Sequence, residues 1–355
     1  MRFGVQFTTH LADYSVGELV RLSRRAAEAG LEQVWLNDNM RYRDMLVVLT
    51  AMAATVPVDL GAAALVPYFH QPEQLACALG AMAELRGGRQ VTVGIGRGSL
   101  GQTPQFVQVT RPLAFMREMV LFLRRALASE SVPFGDFPLL TDYYHLAPRG
   151  RLQLAFTPPP VRFYGAGNGP KSLLLAGQHF DGLLISGKFL AYLRTGQLAR
   201  MLSQAHASRD PSAGKLPVAA ELNLSVSRDR QAAWRFPRRQ VAHSMVGLDQ
   251  TLGPEELAAL HIDSERIERL RQRFASGATI EQAQELVDDR MVEAYYLAGT
   301  PDEVVPAALD VAARAAEQGI DQVIFSKLGP DYDEALDIIR QDILPRLTQR
   351  MLTTA

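Results

Sequence analysis

Short apolar runs alternate with amphipathic stretches along most of the chain. The spacing predicts strands at 2–7, 33–36, 58–65, 90–95, 161–164, 182–185, 216–225 and 321–325. It predicts helices at 16–29, 44–54, 72–85, 112–128 and 170–177, and a closing helix from 332 to 344. Repeated strand–helix units imply an α/β protein with a parallel sheet. Eight such units favour a closed (β/α)8 TIM barrel over an open doubly wound sheet.

Two stretches break this alternation. Residues 133–145 contain Gly135, Pro138 and several aromatic residues, which predicts a hairpin or loop. Residues 228–297 are too many for a simple connection, and they are charged with a helical pattern. We therefore predict one domain over 1–355, with a helical insertion at about 228–297 between strands seven and eight.

Composition narrows the classes of function. The 355 residues are 47% hydrophobic and 21% charged, as in a globular protein with a large core. The net charge of −1 gives no electrostatic case for nucleic acid or an anionic membrane surface. The sequence shows neither a secretory signal nor an apolar run of membrane-spanning length, so we predict a cytoplasmic protein. A lone cysteine, Cys77, excludes an intrachain disulfide.

The first of two glycine-rich segments runs from Gly94 to Ser99, at the end of the predicted fourth strand. Glycine lets a backbone approach a ligand closely. Strand carboxyl ends carry the active site in this fold, so Gly96, Arg97 and Gly98 are candidate cofactor contacts. The segment is not a dinucleotide fingerprint, because its third glycine comes one residue early and no helix follows at once. A tight barrel turn is the alternative.

The second segment follows the fifth strand and opens a helix. A helix start attracts phosphate through its free N–H groups and its dipole, and proline suits the first turn. A plain strand–helix turn is the alternative. The segment's residues are Gly165, Ala166, Gly167, Asn168, Gly169, Pro170, Lys171 and Ser172.

Isolated polar residues also follow predicted strands. Asp38 comes after the second strand, where a carboxylate can orient a ring or substrate; a loop or helix-cap role is the alternative. His10 follows the first strand and is a candidate acid or base, or a surface loop histidine. The histidines show no metal-ligand spacing, and there is no Gly-x-Ser-x-Gly elbow, so hydrolase chemistry lacks support. Thr300 to Glu303 predicts a helix-capping box with a structural role.

Taken in order, several segments resemble the bacterial luciferase-like superfamily of flavin and deazaflavin oxidoreductases. The most specific is Leu85-Arg86-Gly87-Gly88-Arg89 followed by residues 93–98. The likeness is greatest to the branch that uses coenzyme F420, which includes methylenetetrahydromethanopterin reductases. The other matching segments are 34–39, 60–72, 163–182 and 299–304.

The resemblance implies a cofactor across the strand carboxyl ends, with its phosphate on 165–172. It also implies a bulged third strand at Ala63, Ala64 and Leu65, often with a non-prolyl cis peptide, behind the ring. The leading hypothesis is hydride transfer between F420 and an unidentified small organic substrate. The alternatives are an FMN-dependent monooxygenase and a cofactor-binding protein without turnover. Because the family often forms dimers, we also predict a homodimer.

Three positions depart from the family pattern. Members keep an acid ending the first strand, a histidine after the aspartate, or an acid after the first glycine-rich turn; here these places hold Gln6, Asn39 and Ser99. None of these side chains is an acid near neutral pH. The substrate therefore cannot be carried over from the family. His10 and Tyr68 become the candidate proton donors by position.

Overall fold

The computed structural model describes residues 1–8, 14–98, 103–249 and 251–354. The strands in these ranges are β1 (Arg2–Phe7), β2 (Gln33–Leu36), β3 (Asp59–Leu65), β4 (Val91–Gly96), β5 (Val132–Pro133), β6 (Arg151–Leu152), β7 (Val161–Ala166), β8 (Gly182–Ile185), β9 (Val218–Val226), β10 (Tyr296–Gly299) and β11 (Gln322–Gly329).

The helices are α1 (Val16–Glu28), α2 (Met45–Ala53), α3 (Pro72–Leu85), α4 (Pro112–Leu127), α5 (Pro138–Tyr144), α6 (Pro170–His179), α7 (Phe189–Arg194), α8 (Gln197–Ala207), α9 (Arg230–Arg235), α10 (Arg238–Met245), α11 (Pro254–Ala259), α12 (Ser264–Ala275), α13 (Ile280–Ala283), α14 (Asp289–Tyr295), α15 (Pro301–Glu317), α16 (Tyr332–Ile338) and α17 (Leu344–Thr354). No helix in the described ranges is long and apolar enough to cross a membrane.

The strand order confirms the predicted fold class. Within the described residues the main sheet runs β10-β9-β11-β1-β2-β3-β4-β7-β8, and β8 also pairs with β9. The pairing of β8 with β9 therefore closes a sheet of eight strands, and β10 pairs with β9 as an additional strand. The pairings from β1 through β8 in this order are parallel. The chain has the (β/α)8 barrel fold that the strand–helix alternation predicts.

Contacts divide the chain into two compact units. The N-terminal unit comprises Gly4–Leu184 and Ser203–Val218, and the C-terminal unit comprises Met1–Phe3, Ile185–Leu202 and Ala219–Ala355. The single domain over 1–355 stays a prediction.

The most specific family motif has a packing role in the N-terminal unit. Arg86, only 2% exposed, donates through Nη1 to the carbonyl oxygens of Ala53 at 3.1 Å and Val56 at 2.7 Å, and through Nη2 to that of Val58. These carbonyls end α2 and lead into β3. A buried carbonyl needs a donor, and the planar guanidinium supplies several at once.

The stretch at 133–145 agrees in part with the predicted hairpin or loop, but it also contains a helix that was not predicted. A short antiparallel pair, β5 and β6, flanks the seven-residue helix α5. Glu118 on α4 accepts from the backbone N–H groups of Leu139 at 2.9 Å and Leu140 at 3.3 Å. The helix start is thus capped from another helix, a contact that local sequence does not reveal.

In the C-terminal unit, α9 to α14, then β10 and then α15 occupy the chain between β9 and β11. The predicted charged helical stretch at 228–297 falls on these elements. The capping box predicted at the start of α15 is confirmed, with Thr300 and Glu303 bonded reciprocally. Last, β11 extends to Gly329, beyond the predicted end at 325.

Candidate functional site

The carboxyl end of β3 is irregular in the way that the resemblance implies. Its register with β4 shifts between Ala62 and Leu65, and the Ala63–Ala64 peptide bond is cis. Gln6 donates from Nε2 to the carbonyl oxygen of Ala63 at 2.6 Å. The backbone N–H of Asp38 donates to the carbonyl oxygen of Ala64 at 3.4 Å. The bulge thus brings three predicted site segments together.

A histidine that the sequence analysis did not select lies on the Asp38 carboxylate. His70 Nε2 is 2.8 Å from Asp38 Oδ2, which also accepts from the Val66 N–H at 3.0 Å. The Asp38 side chain is 8% exposed and that of His70 is 11% exposed. The two residues are 32 positions apart in the chain, so no local pattern indicated the pair.

Tyr68, a predicted proton-donor candidate, follows the bulge and is only 3% exposed. Its hydroxyl has no hydrogen-bond partner among the described residues. Burial raises the pKa of Tyr68 to about 12, so the phenol stays protonated at neutral pH. A buried unpaired hydroxyl costs free energy that a ligand acceptor would recover.

Aromatic side chains hold Tyr68 in place. Its ring centroid lies 5.1 Å from that of Phe115 on α4. The Tyr143 hydroxyl donates to the carbonyl oxygen of Tyr68 at 3.3 Å, and the Tyr144 hydroxyl donates to that of Pro67. The aromatic residues noted at 133–145 therefore support the loop after β3, which gives Tyr68 a fixed orientation.

The first glycine-rich segment lies against the bulge. A side chain at Gly96 would place its Cβ 3.3 Å from that of Ala64 and 3.4 Å from that of Ala166. Gly98 has a φ of +75°, which favours glycine, and Arg97 is exposed. Two earlier candidates, Ser99 and His10, lie outside the described residues.

The second segment is a strand–helix turn with mixed roles. At Gly165 a Cβ would lie 2.7 Å from that of Ala176, so this glycine allows α6 to pack on β7. At Gly167 a Cβ would lie 3.0 Å from Ser172 Oγ, so the turn brings this hydroxyl next to the glycine backbone. Gly169 is the N-cap of α6, and Lys171 is exposed in its first turn. The turn's geometry fits an anion at the start of α6.

The remaining residues of this segment were predicted as phosphate contacts, and their roles stay predictions. Ala166 ends β7 and Asn168 lies in the turn. The N–H of Ser172 already donates to the carbonyl oxygen of Gly169 at 2.9 Å. The side chains of Lys171 and Ser172 are therefore the groups best able to add to the attraction that the helix dipole exerts on a phosphate.

The C-terminal unit holds a polar cluster that the sequence analysis did not select, formed by Gly187, Glu221, Asn223, Ser326 and Lys327. Asn223 donates to the carbonyl oxygens of Gly187 at 3.0 Å and Tyr295 at 2.9 Å, and accepts from the Ser326 hydroxyl at 2.8 Å. The Gly187 N–H donates to Glu221 Oε2 at 3.1 Å.

Lys327 is the cationic member of this C-terminal polar cluster. Burial lowers the pKa of Lys327, and the charge of Glu221 opposes that shift. The signal for the cluster was present in the sequence, because a glutamate and a lysine stand within strands that are mostly buried.

Two comparisons of sequence bear on this site. The model of the luciferase-like monooxygenase family matches residues 1–322. The 5,10-methylenetetrahydromethanopterin reductase of Archaeoglobus fulgidus is 28% identical over 354 residues, covering 98% of this chain and 100% of the relative. The F420-dependent glucose-6-phosphate dehydrogenase of Amycolatopsis mediterranei is 27% identical over 349 residues, covering 93% of this chain and 94% of the relative.

Solved structures agree on the fold. The coenzyme F420-dependent tetrahydromethanopterin reductase from Methanopyrus kandleri has a TM-score of 0.73 and 22% identity, covering 98% of this chain and 99% of that one. An F420-dependent secondary alcohol dehydrogenase in complex with an F420–acetone adduct has a TM-score of 0.69 and 20% identity, with the same coverage.

Proposed function

Because the chain belongs to the luciferase-like monooxygenase family, we propose that it is an oxidoreductase that uses coenzyme F420 to transfer a hydride to or from a small organic substrate. One observation carries the proposal: nearly the whole chain aligns with nearly the whole of relatives that include F420-dependent enzymes. Its (β/α)8 barrel is also the fold of F420-dependent reductases and dehydrogenases.

The N-terminal unit contains groups that fit the cofactor. The buried Tyr68 hydroxyl lacks an acceptor among the described residues, as expected of a donor that meets a ligand. The glycine-rich turn after β4 lies on the bulge, and the α6 turn offers an anion site. We propose that Asp38, Ala63, Ala64, Leu65, Gly96, Arg97 and Gly98 contact the ring end, and that residues 165–172 hold the phosphate.

When bound, the deazaflavin supplies the hydride chemistry. The chain's own residues then bind, orient and handle protons. Lys171 and Ser172 neutralise and hydrogen-bond the phosphate at the start of α6. The Tyr68 hydroxyl donates a hydrogen bond to an oxygen or nitrogen on which negative charge develops.

Two other functions would be supported by other results of the binding experiment described below. The 3,6-diketocamphane monooxygenase component from Pseudomonas putida, solved in complex with FMN, shares the fold with a TM-score of 0.62 and 15% identity. A binding protein without turnover is the other alternative, because Gln6 and Asn39 hold no acidic proton.

The homodimer and the cytoplasmic location also remain predictions. Light scattering on the purified protein tests whether it is a homodimer.

The test is equilibrium binding of F420 and of FMN to the purified chain, followed by absorbance. We expect F420 to bind more tightly than FMN. Reduced F420 should then be consumed with a methylenetetrahydropterin, or oxidised F420 consumed with a secondary alcohol or sugar phosphate. Tighter FMN binding would support the monooxygenase instead, and F420 binding with no turnover of these probes would support a binding protein.

A charge reversal tests the phosphate end. Lys171→Glu should weaken F420 binding at least tenfold through like-charge repulsion with the phosphate, while the unfolding midpoint hardly moves because the side chain is exposed. Lys215→Glu, another exposed lysine of the N-terminal unit, is the charge-matched control. Equal affinities in the two variants would remove the α6 turn from the site.

A further inference from the structure

We propose that His70, held by Asp38, is the acid–base residue of the reaction. This inference rests on the proposed hydride transfer and names the group that moves the accompanying proton. It concerns a residue outside the three positions where the family pattern keeps proton-transfer groups, which here are Gln6, Asn39 and Ser99.

The geometry of the pair fixes the imidazole. Asp38 Oδ2 can only accept, and it lies 2.8 Å from His70 Nε2, so the neutral ring carries its hydrogen on Nε2. The other ring nitrogen, Nδ1, then has a lone pair. Among the described residues Nδ1 has no hydrogen-bond partner. A carboxylate that orients one imidazole nitrogen and leaves the other available is the arrangement that general acid–base catalysis needs.

The carboxylate is itself held in place. Asp38 Oδ2 also accepts from the Val66 N–H at 3.0 Å, and the Asp38 N–H donates to the carbonyl oxygen of Ala64. These bonds tie the pair to the bulged end of β3, the segment proposed to lie behind the cofactor ring. The pair and the proposed ring site thus share one rigid element of the N-terminal unit, and Tyr68 lies only two residues before His70.

Every proton and electron pair is accounted for in both oxidation and reduction of the substrate. In alcohol oxidation, the C–H hydrogen leaves with its electron pair as hydride to the deazaflavin. The O–H proton passes to His70 Nδ1, and the O–H electron pair becomes the C=O π bond. In reduction of a carbonyl, hydride would form the new C–H bond, the π pair would move to oxygen, and the oxygen would take the proton from Nδ1 of the imidazolium. In reduction of a methylene group between two nitrogens, one C–N bond would break, its electron pair would stay on the nitrogen, that nitrogen would take the proton from Nδ1, and hydride would form the C–H bond in its place. Asp38 would accept from Nε2 throughout and stabilise the imidazolium.

The first test does not require turnover. Nitrogen-15 NMR of the unliganded protein, assigned with His70→Gln, should show the neutral ring as the Nε2–H tautomer. Asp38→Asn should shift His70 toward a mixture of tautomers, because the amide can also donate. A neutral ring that carries its hydrogen on Nδ1 in the wild type would overturn the proposal.

The second test separates binding from proton transfer. With whichever of 2-propanol, glucose 6-phosphate or methylenetetrahydromethanopterin the wild type turns over, His70→Gln should lower kcat about 10²- to 10⁴-fold. The affinity for F420 should change less than threefold, and added imidazole should restore part of kcat in His70→Ala. His206→Gln, an exposed histidine on α8, is the control and should keep wild-type kinetics.

The outcomes distinguish the two proposals. Wild-type kcat in a folded His70→Gln variant, or loss of F420 binding in place of kcat, would overturn the role of His70 and leave the F420 proposal standing. A wild-type chain that does not bind F420 would overturn the proposed function and this inference with it. F420 binding without turnover of any of the three probes would count against the proton-transfer role.

Discussion

The Asp38–His70–Tyr68 group in the N-terminal unit and the polar cluster in the C-terminal unit are both buried, yet their hydrogen bonding differs. In the first, His70 Nδ1 and the Tyr68 hydroxyl have no partner among the described residues. In the second, one amide, Asn223, bonds to three different groups. An amide that completes its hydrogen bonds within the protein stabilises the fold, whereas donors and acceptors that are left open are available to a ligand.

The largest expected change in the free energy of unfolding comes from removing the Asn223 amide. Asn223→Ala should lower the free energy of unfolding by about 3 kcal/mol, because two buried carbonyls lose their donor and the Ser326 hydroxyl loses its acceptor. Urea denaturation measures the change. Gln231→Ala, on the exposed face of α9, is the control. A loss below about 1 kcal/mol would mean that the cluster does not stabilise the fold as its bonding indicates.

Removing the Tyr68 hydroxyl should have the opposite effect: little change in stability but a loss of activity. Tyr68→Phe removes a hydroxyl without a partner, so the free energy of unfolding should stay within about 1 kcal/mol of wild type or rise slightly. If the phenol meets a ligand, kcat/KM should nonetheless fall about tenfold or more. Tyr143→Phe is the comparison variant: it removes a hydroxyl that bonds to the Tyr68 carbonyl, so it should lower the free energy of unfolding. A destabilised variant with normal kinetics would place Tyr68 in the core instead.

The smallest effect is electrostatic and concerns Lys188, next to Gly187. Burial lowers the pKa of Lys188 to about 8 from its ordinary value of 10.5. Between these two pH values the unfolded chain binds more protons than the folded one, so the free energy of unfolding should rise as the pH is raised. In Lys188→Met, the rise in the free energy of unfolding between pH 8 and pH 10 should be smaller by about 1 kcal/mol. Denaturation at pH 8 and pH 10 checks it; an identical slope in both proteins would contradict the shift.

Periodicity was sufficient for the eight strands of the barrel, because burial imposes the alternation directly on the sequence. It also brought out Asp38 and the two glycine-rich turns. It did not identify His70, because its partner Asp38 lies 32 positions away in the chain. Nor did it predict α5, whose start is capped by Glu118 of a different helix.

The end of β11 shows the same limit. The apolar run predicted a strand that stops at 325, whereas the strand continues through Lys327, whose φ is +49°, to Gly329. Its register with β9 shifts between Ser326 and Gly329. A bulge places two residues opposite one and interrupts the alternation, so a period of two misjudges where this strand ends.

Arg86 bears on what the resemblance itself means. Its guanidinium joins the end of α2 to the entry of β3 by bonding three backbone carbonyls, and a lysine in its place would offer no planar fork to reach all three. The most specific segment shared with the family thus acts as a clamp between two layers of the barrel. Because this clamp supports the scaffold, a likeness in this segment indicates the fold, whereas the reaction depends on the residues that we propose for it, Asp38, His70 and Tyr68.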